Sequence, residues 1–226
     1  MPPLRIGHRG AAGHAPENTI ASFQKALDFK VDGVELDIHQ CASGELIVIH
    51  DETVDRTTNG NGEVAKMTLA ELKTLDAGKG EKLPTLSELL DFLDKRIMVM
   101  VEIKAQGLAR PTAKLIEDYV AKGWRYDQFQ VISFDHHQLL EIYNLNPEIP
   151  TGANIAAIPI HYAEYATHAK AHAANPCINH VNKAFVQDAH ARNLKVFTWT
   201  PNTPNLISIA RELEVDGILS DYPDRL

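Results

Sequence analysis

The sequence predicts an α/β chain folded as a (β/α)8 barrel, and three observations carry that expectation. Short β-like runs alternate with helical stretches from end to end, the pattern of a parallel sheet. The alternation amounts to eight strand–helix units, the last truncated, which suits a closed barrel better than an open doubly wound sheet. The Gly-x-Gly-x-x-Gly turn of a dinucleotide-binding fold is absent.

The units follow in order. Leu4 to His8 is a short apolar run closed by a polar pair and Gly10. Asn18 or Thr19 can cap a helix through about Phe29, with Ile20, Phe23, Ala26 and Leu27 on one face. Gly33 to His39 is the second strand. Leu46 to Ile49 is an additional β-like run outside the count of eight, followed by turn residues around Thr57 to Gly62. Thr68 to Leu75 and Thr85 to Leu93 read as two helices, each opened by a capping box, Thr68 with Glu71 and Thr85 with Glu88. Ile97 to Ile103 is nearly continuous in apolar and β-branched residues, as in a strand buried on both faces. A helix from about Thr112 to Lys122 stops at Gly123. The strand Gln130 to Phe134 leads into a helix from Asp135 to Leu145, and Thr151 to Ile155 is the next strand. Tyr162 to Ala174 reads as a helix and Cys177 to Asn179 as a strand placed mainly by its position. Ala184 to Arg192 (helix), Lys195 to Thr200 (strand), Leu206 to Leu213 (helix) and Gly217 to Ser220 (strand) complete the series. Residues 51–96 exceed what one connection needs and are expected to form a small inserted cap within a single domain spanning 1–226.

Composition narrows the function. With 226 residues and 44% hydrophobic side chains the chain can bury a sizeable core. A formal net charge of −8 and no Lys/Arg run argue against nucleic acid or an anionic membrane as partner. Cys41 and Cys177 stand in no metal-binding or disulfide spacing. The N-terminal residues carry no secretory signal and no window is long enough to span a membrane, so a cytoplasmic protein is expected.

The chemistry collects at the carboxyl ends of the predicted strands, where such barrels hold their active sites. His8 and Arg9 close the first strand, Glu35 and Asp37 the second, and Glu102 and Lys104 the third. His50 and Asp51 follow the additional run, Phe134 ends the fourth strand, Trp199 lies near the end of the seventh, and Asp221 follows the eighth. Alternate residues of a strand share a face, so Glu35 and Asp37 point together, as do Glu102 and Lys104. Three converging carboxylates repel one another unless a cation neutralises them, and hard oxygen ligands suit Mg²⁺ or Ca²⁺. Lys104 has the charge for a phosphate oxygen, and paired histidines suit proton transfer near neutral pH. Taken singly, each residue has an ordinary reading: a surface carboxylate pair, a salt-bridged strand end, a core histidine or aromatic, a closing aspartate. His168 and His172, four apart on the predicted helix, lack the Glu of a His-Glu-x-x-His site and read as a solvated face. His14, in the loop after the first strand, is expected beside the pocket.

The segment His8-Arg-Gly-Ala-Ala-Gly-His-Ala-Pro-Glu-Asn-Thr19 resembles the opening signature of the glycerophosphodiester phosphodiesterases. Val34 to His39, Ile47 to Gly60, Val101 to Lys104, Val196 to Asn202 and Val215 to Asp224 resemble the family's later blocks, so the likeness covers nearly the whole chain and is weakest between about Thr151 and Val181. It implies a TIM-type barrel with a small insertion after the second strand, and a divalent cation, Mg²⁺ or Ca²⁺, on Glu35, Asp37 and Glu102. It implies His8 and His50 as the acid–base pair. Arg9 and Lys104 would hold the phosphate, Phe134 and Trp199 would contact the substrate, and Glu17 and Asp51 would support the site. The implied substrates are small glycerophosphodiesters such as glycerophosphocholine and glycerophosphoethanolamine, cut to glycerol 3-phosphate and an alcohol. Two rivals use the same barrel: a lyase releasing a cyclic phosphate from a lysophospholipid, and a module that binds phosphodiesters without cleaving them.

Overall fold

The architecture follows from strands that are apolar on both faces. A computed structural model describes residues 2–226. Strands β1 (Leu4–Gly7), β2 (Gly33–Gln40), β3 (Leu46–Val48), β4 (Met98–Ile103), β5 (Phe129–Ser133), β6 (Thr151–Ile155), β7 (Ala173–Pro176), β8 (Lys195–Trp199) and β9 (Gly217–Ser220) form one sheet. Eight of them run parallel and the sheet closes, β1 pairing with both β9 and β2. β3 is the exception: it lies antiparallel on β2, with Ile38 opposite Val48.

Side-chain alternation separates two cores. Ile6, Met100, Ile132, Ala173, Phe197 and Leu219 fill the barrel. Val34, Leu36, Ile38, Val99, Val101, Val131 and Val196 face outward. They pack under helices α1 (Ile20–Asp28), α2 (Leu69–Thr74), α3 (Leu86–Leu93), α4 (Ala109–Ala121), α5 (His136–Leu145), α6 (Glu164–His168), α7 (Lys183–Ala191) and α8 (Pro204–Glu212), of which all but α2 contribute residues to that core. Burying a side chain such as Leu36 or Val101 contributes roughly 1.5–3 kcal/mol. The same alternation turns Glu35, Asp37 and Glu102 inward, which places charge inside an otherwise apolar barrel.

The segment between β3 and β4 holds α2 and α3, and its Ile49, Val54, Val64, Leu72, Ala77 and Leu83 form a separate small core with Cys41 and with Ile47 of β3. Both capping boxes form, Thr68 with Glu71 and Thr85 with Glu88. α3 packs Leu86, Leu89, Leu90 and Leu93 into the outer barrel core.

One stretch departs from the sequence reading. The expected helix from Tyr162 to Ala174 is only the five-residue α6. Lys170 adopts a positive φ of 54°, which ends the helical run. Ala173 and Ala174 then pair with β6 and β8 as a buried strand. The expected strand Cys177 to Asn179 gives way to a 3₁₀ turn, Ile178–His180. His168 and His172 therefore share no helix: His168 is exposed beside Glu164, and His172 precedes β7. No helix among the described residues is long and apolar enough to cross a membrane.

Candidate active site

The site forms where β1, β2, β4 and β9 end side by side. Asp37 and Glu102 are register partners on adjacent strands, and Glu35 lies two residues before Asp37 on the same inward face. One oxygen from each of these three carboxylates lies within 4.8 Å of the other two, and all three residues are buried. Burial raises the Glu35 carboxyl to about 8, with the neighbouring Asp37 pushing in the same direction. Burial and Asp37 likewise raise Glu102 above the usual carboxylate range. Oδ1 of Asp37 is buried and accepts no hydrogen bond. Three clustered hard oxygens, two of them reluctant to ionise and one lacking a donor, fit a Mg²⁺ or Ca²⁺ ion.

Two histidines flank the carboxylates, and each is backed by an aspartate. His8 Nδ1 lies 2.6 Å from Asp221 Oδ1, and its Nε2 faces Glu35 at 3.9 Å. Burial alone would lower the His8 pKa, but Glu35 and the Asp221 bond outweigh it and raise the value. His50 Nδ1 lies 2.6 Å from Asp51 Oδ1, and its Nε2 is 3.1 Å from Lys104 Nζ. A carboxylate on Nδ1 fixes the ring and leaves Nε2 for the reacting group.

Cations complete the ring. Lys104 Nζ donates to Glu102 at 2.9 Å and stands 3.6 Å from Asp37. Arg9 sits at φ +50°, a sparsely populated backbone region for a residue with a side chain. That conformation lets its N–H donate to Glu35 (3.0 Å) while its guanidinium reaches Glu17 (2.9 Å) and Asp37 (3.4 Å). The turn that follows needs Gly10, since a Cβ there would lie 2.5 Å from Ser22 Oγ. Glu17 in turn accepts from Arg56, which also grips Asp51. Phe134, 47% exposed, meets Trp199 edge to face at 5.6 Å. A cleft of about 60 Å³ touches His8, Arg9, Glu35, His50, Lys104 and Trp199, and a neighbouring one of about 340 Å³ shares Glu102, Lys104 and Phe134.

The structure thus brings the eleven residues singled out from the sequence to one end of the barrel. His14 differs: it turns away to bond Asp224 at 2.7 Å and pack against Tyr222, so it lines neither cleft. The geometry gives site roles to four residues for which the sequence suggested none, Asp221 having stood only as a closing aspartate after the eighth strand and Asn18 only as a helix-cap candidate. Asp221 orients His8, Asn202 bonds Asp221, Asn18 donates to Asp37 at 2.9 Å, and Arg56 bridges Glu17 and Asp51. The closing of β9 on β1, which sets Asp221 beside His8, was the available signal for the first.

The model of the glycerophosphoryl diester phosphodiesterase family matches residues 8–225. A glycerophosphodiester phosphodiesterase of Caldanaerobacter subterraneus is 35% identical over 237 aligned positions, covering 100% of this chain and 97% of its own length. A glycerophosphodiester phosphodiesterase of Bacillus altitudinis is 33% identical, covering 97% of this chain and 95% of its own. Among solved structures, a phosphodiesterase of Oleispira antarctica in complex with the product sn-glycerol-3-phosphate superposes with a TM-score of 0.90 at 32% identity, covering 99% of this chain and 95% of that one.

Proposed function

Given that the chain belongs to the glycerophosphoryl diester phosphodiesterase family and is a hydrolase of phosphodiesters, we propose that it cleaves small glycerophosphodiesters, such as glycerophosphocholine and glycerophosphoethanolamine, to glycerol 3-phosphate and an alcohol. The observation that carries the reading is the buried Glu35–Asp37–Glu102 cluster lying between two histidines, each with an aspartate on Nδ1. Glycerol 3-phosphate as the product in the related Oleispira antarctica enzyme supports a substrate of this class. One divalent cation, Mg²⁺ or Ca²⁺, would be held by the three carboxylates and would supply charge neutralisation and polarisation of a phosphate oxygen.

Arg9 and Lys104 hold the remaining phosphate oxygens, where a positive charge stabilises the transition state. His8, with Nδ1 on Asp221, uses Nε2 to take the proton of the substrate's own glycerol hydroxyl. That oxygen attacks phosphorus, the bond to the head-group oxygen breaks, and His50 Nε2 delivers a proton to the departing alcohol. Lys104 leaves His50 Nε2 for the phosphate as substrate binds, which frees that nitrogen to carry the proton. Water then opens the cyclic phosphate with the two histidines in reversed roles, giving glycerol 3-phosphate. Phe134 and Trp199 form the wall for the alcohol, and Glu17 and Asp51 hold Arg9 and His50. Residues 1–226 are read as one domain, with the insertion after the second strand as a cap over this edge. The free thiols of Cys41 and Cys177 fit a reducing compartment, and we place the protein in the cytoplasm.

The test is incubation with glycerophosphocholine and separate assay of choline and glycerol 3-phosphate. Release of both in equal amounts supports the reading. Release of choline with only a cyclic phosphate would identify a lyase, and release of neither would leave a binding module.

A further inference from the structure

A cavity lies well away from the active site. It lies at the opposite, amino-terminal end of the barrel strands and encloses about 680 Å³, well within the range of small-molecule sites. Its inner wall is apolar: Leu4, Met98, Phe129 and Phe197 line it, and Leu4 remains 38% exposed there. One inner-wall residue breaks this pattern. Gln130 faces the barrel interior from β5, is 3% exposed, and its Oε1 finds no donor among the described residues. An orphaned buried amide is costly, of order 1–3 kcal/mol. Water is a poor remedy against such a wall, because a buried water needs about 2–4 polar partners.

The mouth carries the opposite chemistry. Lys170, Lys195, Arg192 and His172 line it, with Asp127 as the one carboxylate. Asp127 is neutralised by Arg125 at 2.9 Å. Arg192 is engaged by Asp188 at 2.9 Å, and Lys195 leans on Asp216 at 3.4 Å. Lys170 has no acidic partner within ion-pair distance among the described residues. His172 accepts the Thr151 N–H on Nδ1 at 3.1 Å, which leaves Nε2 as a hydrogen-bond donor. With these pairs formed, Lys170 is the unpaired cation of the mouth among the described residues, on a chain of net charge −8.

We propose that this cavity is a second ligand site, separate from the phosphodiester site, that takes a small amphipathic monoanion. Its apolar body lies between Leu4, Met98 and Phe197, its carboxylate or equivalent anion meets Lys170 and His172, and a polar group on the body can satisfy Gln130. A medium-chain carboxylate matches the apolar wall and the single free charge of Lys170.

The probe is octanoate, measured by calorimetry and by displacement of 8-anilinonaphthalene-1-sulfonate, with octylammonium and octanol as controls. The expected result is saturable binding of one octanoate per chain, with octylammonium failing to compete. Lys170→Glu, an exposed change outside the phosphodiester site, should weaken octanoate by about fivefold while leaving the melting temperature unchanged. Gln130→Leu should leave octanoate binding in place and raise the melting temperature, because the orphaned amide is gone. Affinity for hydroxyoctanoates, whose extra hydroxyl can reach Gln130, should exceed that for octanoate in the native chain and lose that advantage in Gln130→Leu. No saturable binding, equal competition by octylammonium, or an unchanged affinity in Lys170→Glu would overturn the proposal.

Discussion

Arg56 holds two carboxylates at once: its guanidinium donates to Asp51 at 2.7 Å and to Glu17 at 2.8 Å. Asp51 is the partner of His50, and Glu17 the partner of Arg9. A residue of the segment after β3 therefore ties the orientation of His50, the proposed proton-transfer group, to that of Arg9, the proposed phosphate-binding group. The Arg56 bonds hold both carboxyls below their usual range, against the burial that opposes them. Arg56→Ala should lower kcat by about tenfold with a smaller change in KM, as expected of lost positioning. Arg56→Lys should not restore the rate, because an ammonium cannot reproduce the planar fork. Steady-state kinetics of the two variants on glycerophosphocholine check this.

His8→Ala and His50→Ala should each reduce kcat by about 10²–10⁴, the usual yield of general acid–base catalysis. In the proposed cycle the two share one proton-transfer sequence, so the double variant should lose much less than the product of the single losses. A double variant showing the full product would mean that the histidines act independently.

Burial of the carboxylates, reinforced by their mutual repulsion, gives the metal-free protein a characteristic pH response. Glu35 ionises near 8 in the folded chain against 4.5 ordinarily. Its folded form thus binds the proton more tightly, so its contribution to stability is complete below the ordinary value and is lost as pH rises towards 8. In EDTA the melting temperature should fall between about pH 5 and 8, and Glu35→Gln should flatten that fall. Saturating Mg²⁺ or Ca²⁺ should flatten it in the unaltered chain as well. Melting curves with and without cation distinguish this from titration elsewhere, since His39 and His172, lowered by burial, act in the opposite sense.

Phe134 presents a half-exposed ring beside Trp199 at the rim of the clefts. An aromatic face attracts a quaternary ammonium. Phe134→Ala should therefore lower kcat/KM for glycerophosphocholine by about tenfold, and for the uncharged head group of glycerophosphoglycerol by much less. Equal losses on both substrates would assign Phe134 a packing role only.

Much of this was legible in the chain itself. Glu35 and Asp37 share a face because a strand has period two, and the apolar residues around them marked that strand as buried. His8, His50, Glu102 and Lys104 each stood at the end of a β-like run. Strand β7 was not legible: Ala173 and Ala174 suit a helix as well as a strand, and only pairing with β6 and β8 decides between them. The pairing of Asp221 with His8 and the role of Arg56 were not legible, because both depend on long-range closure. Asp221 meets His8 across 213 positions, and Arg56 meets Glu17 across 39. The floor cavity left no local pattern either, since its wall is assembled from the first residues of separate strands.

Glu35, Asp37 and Glu102 are proposed to hold the cation on which hydrolysis depends. The direct measurement is titration of EDTA-treated, dialysed protein with Mg²⁺ or Ca²⁺, following glycerol 3-phosphate release and calorimetric binding together, beside Asp37→Asn. The expected outcome is no activity without cation, recovery that saturates at one ion per chain, and loss of both binding and activity in Asp37→Asn. Full activity in EDTA, or unchanged cation affinity in Asp37→Asn, would contradict it.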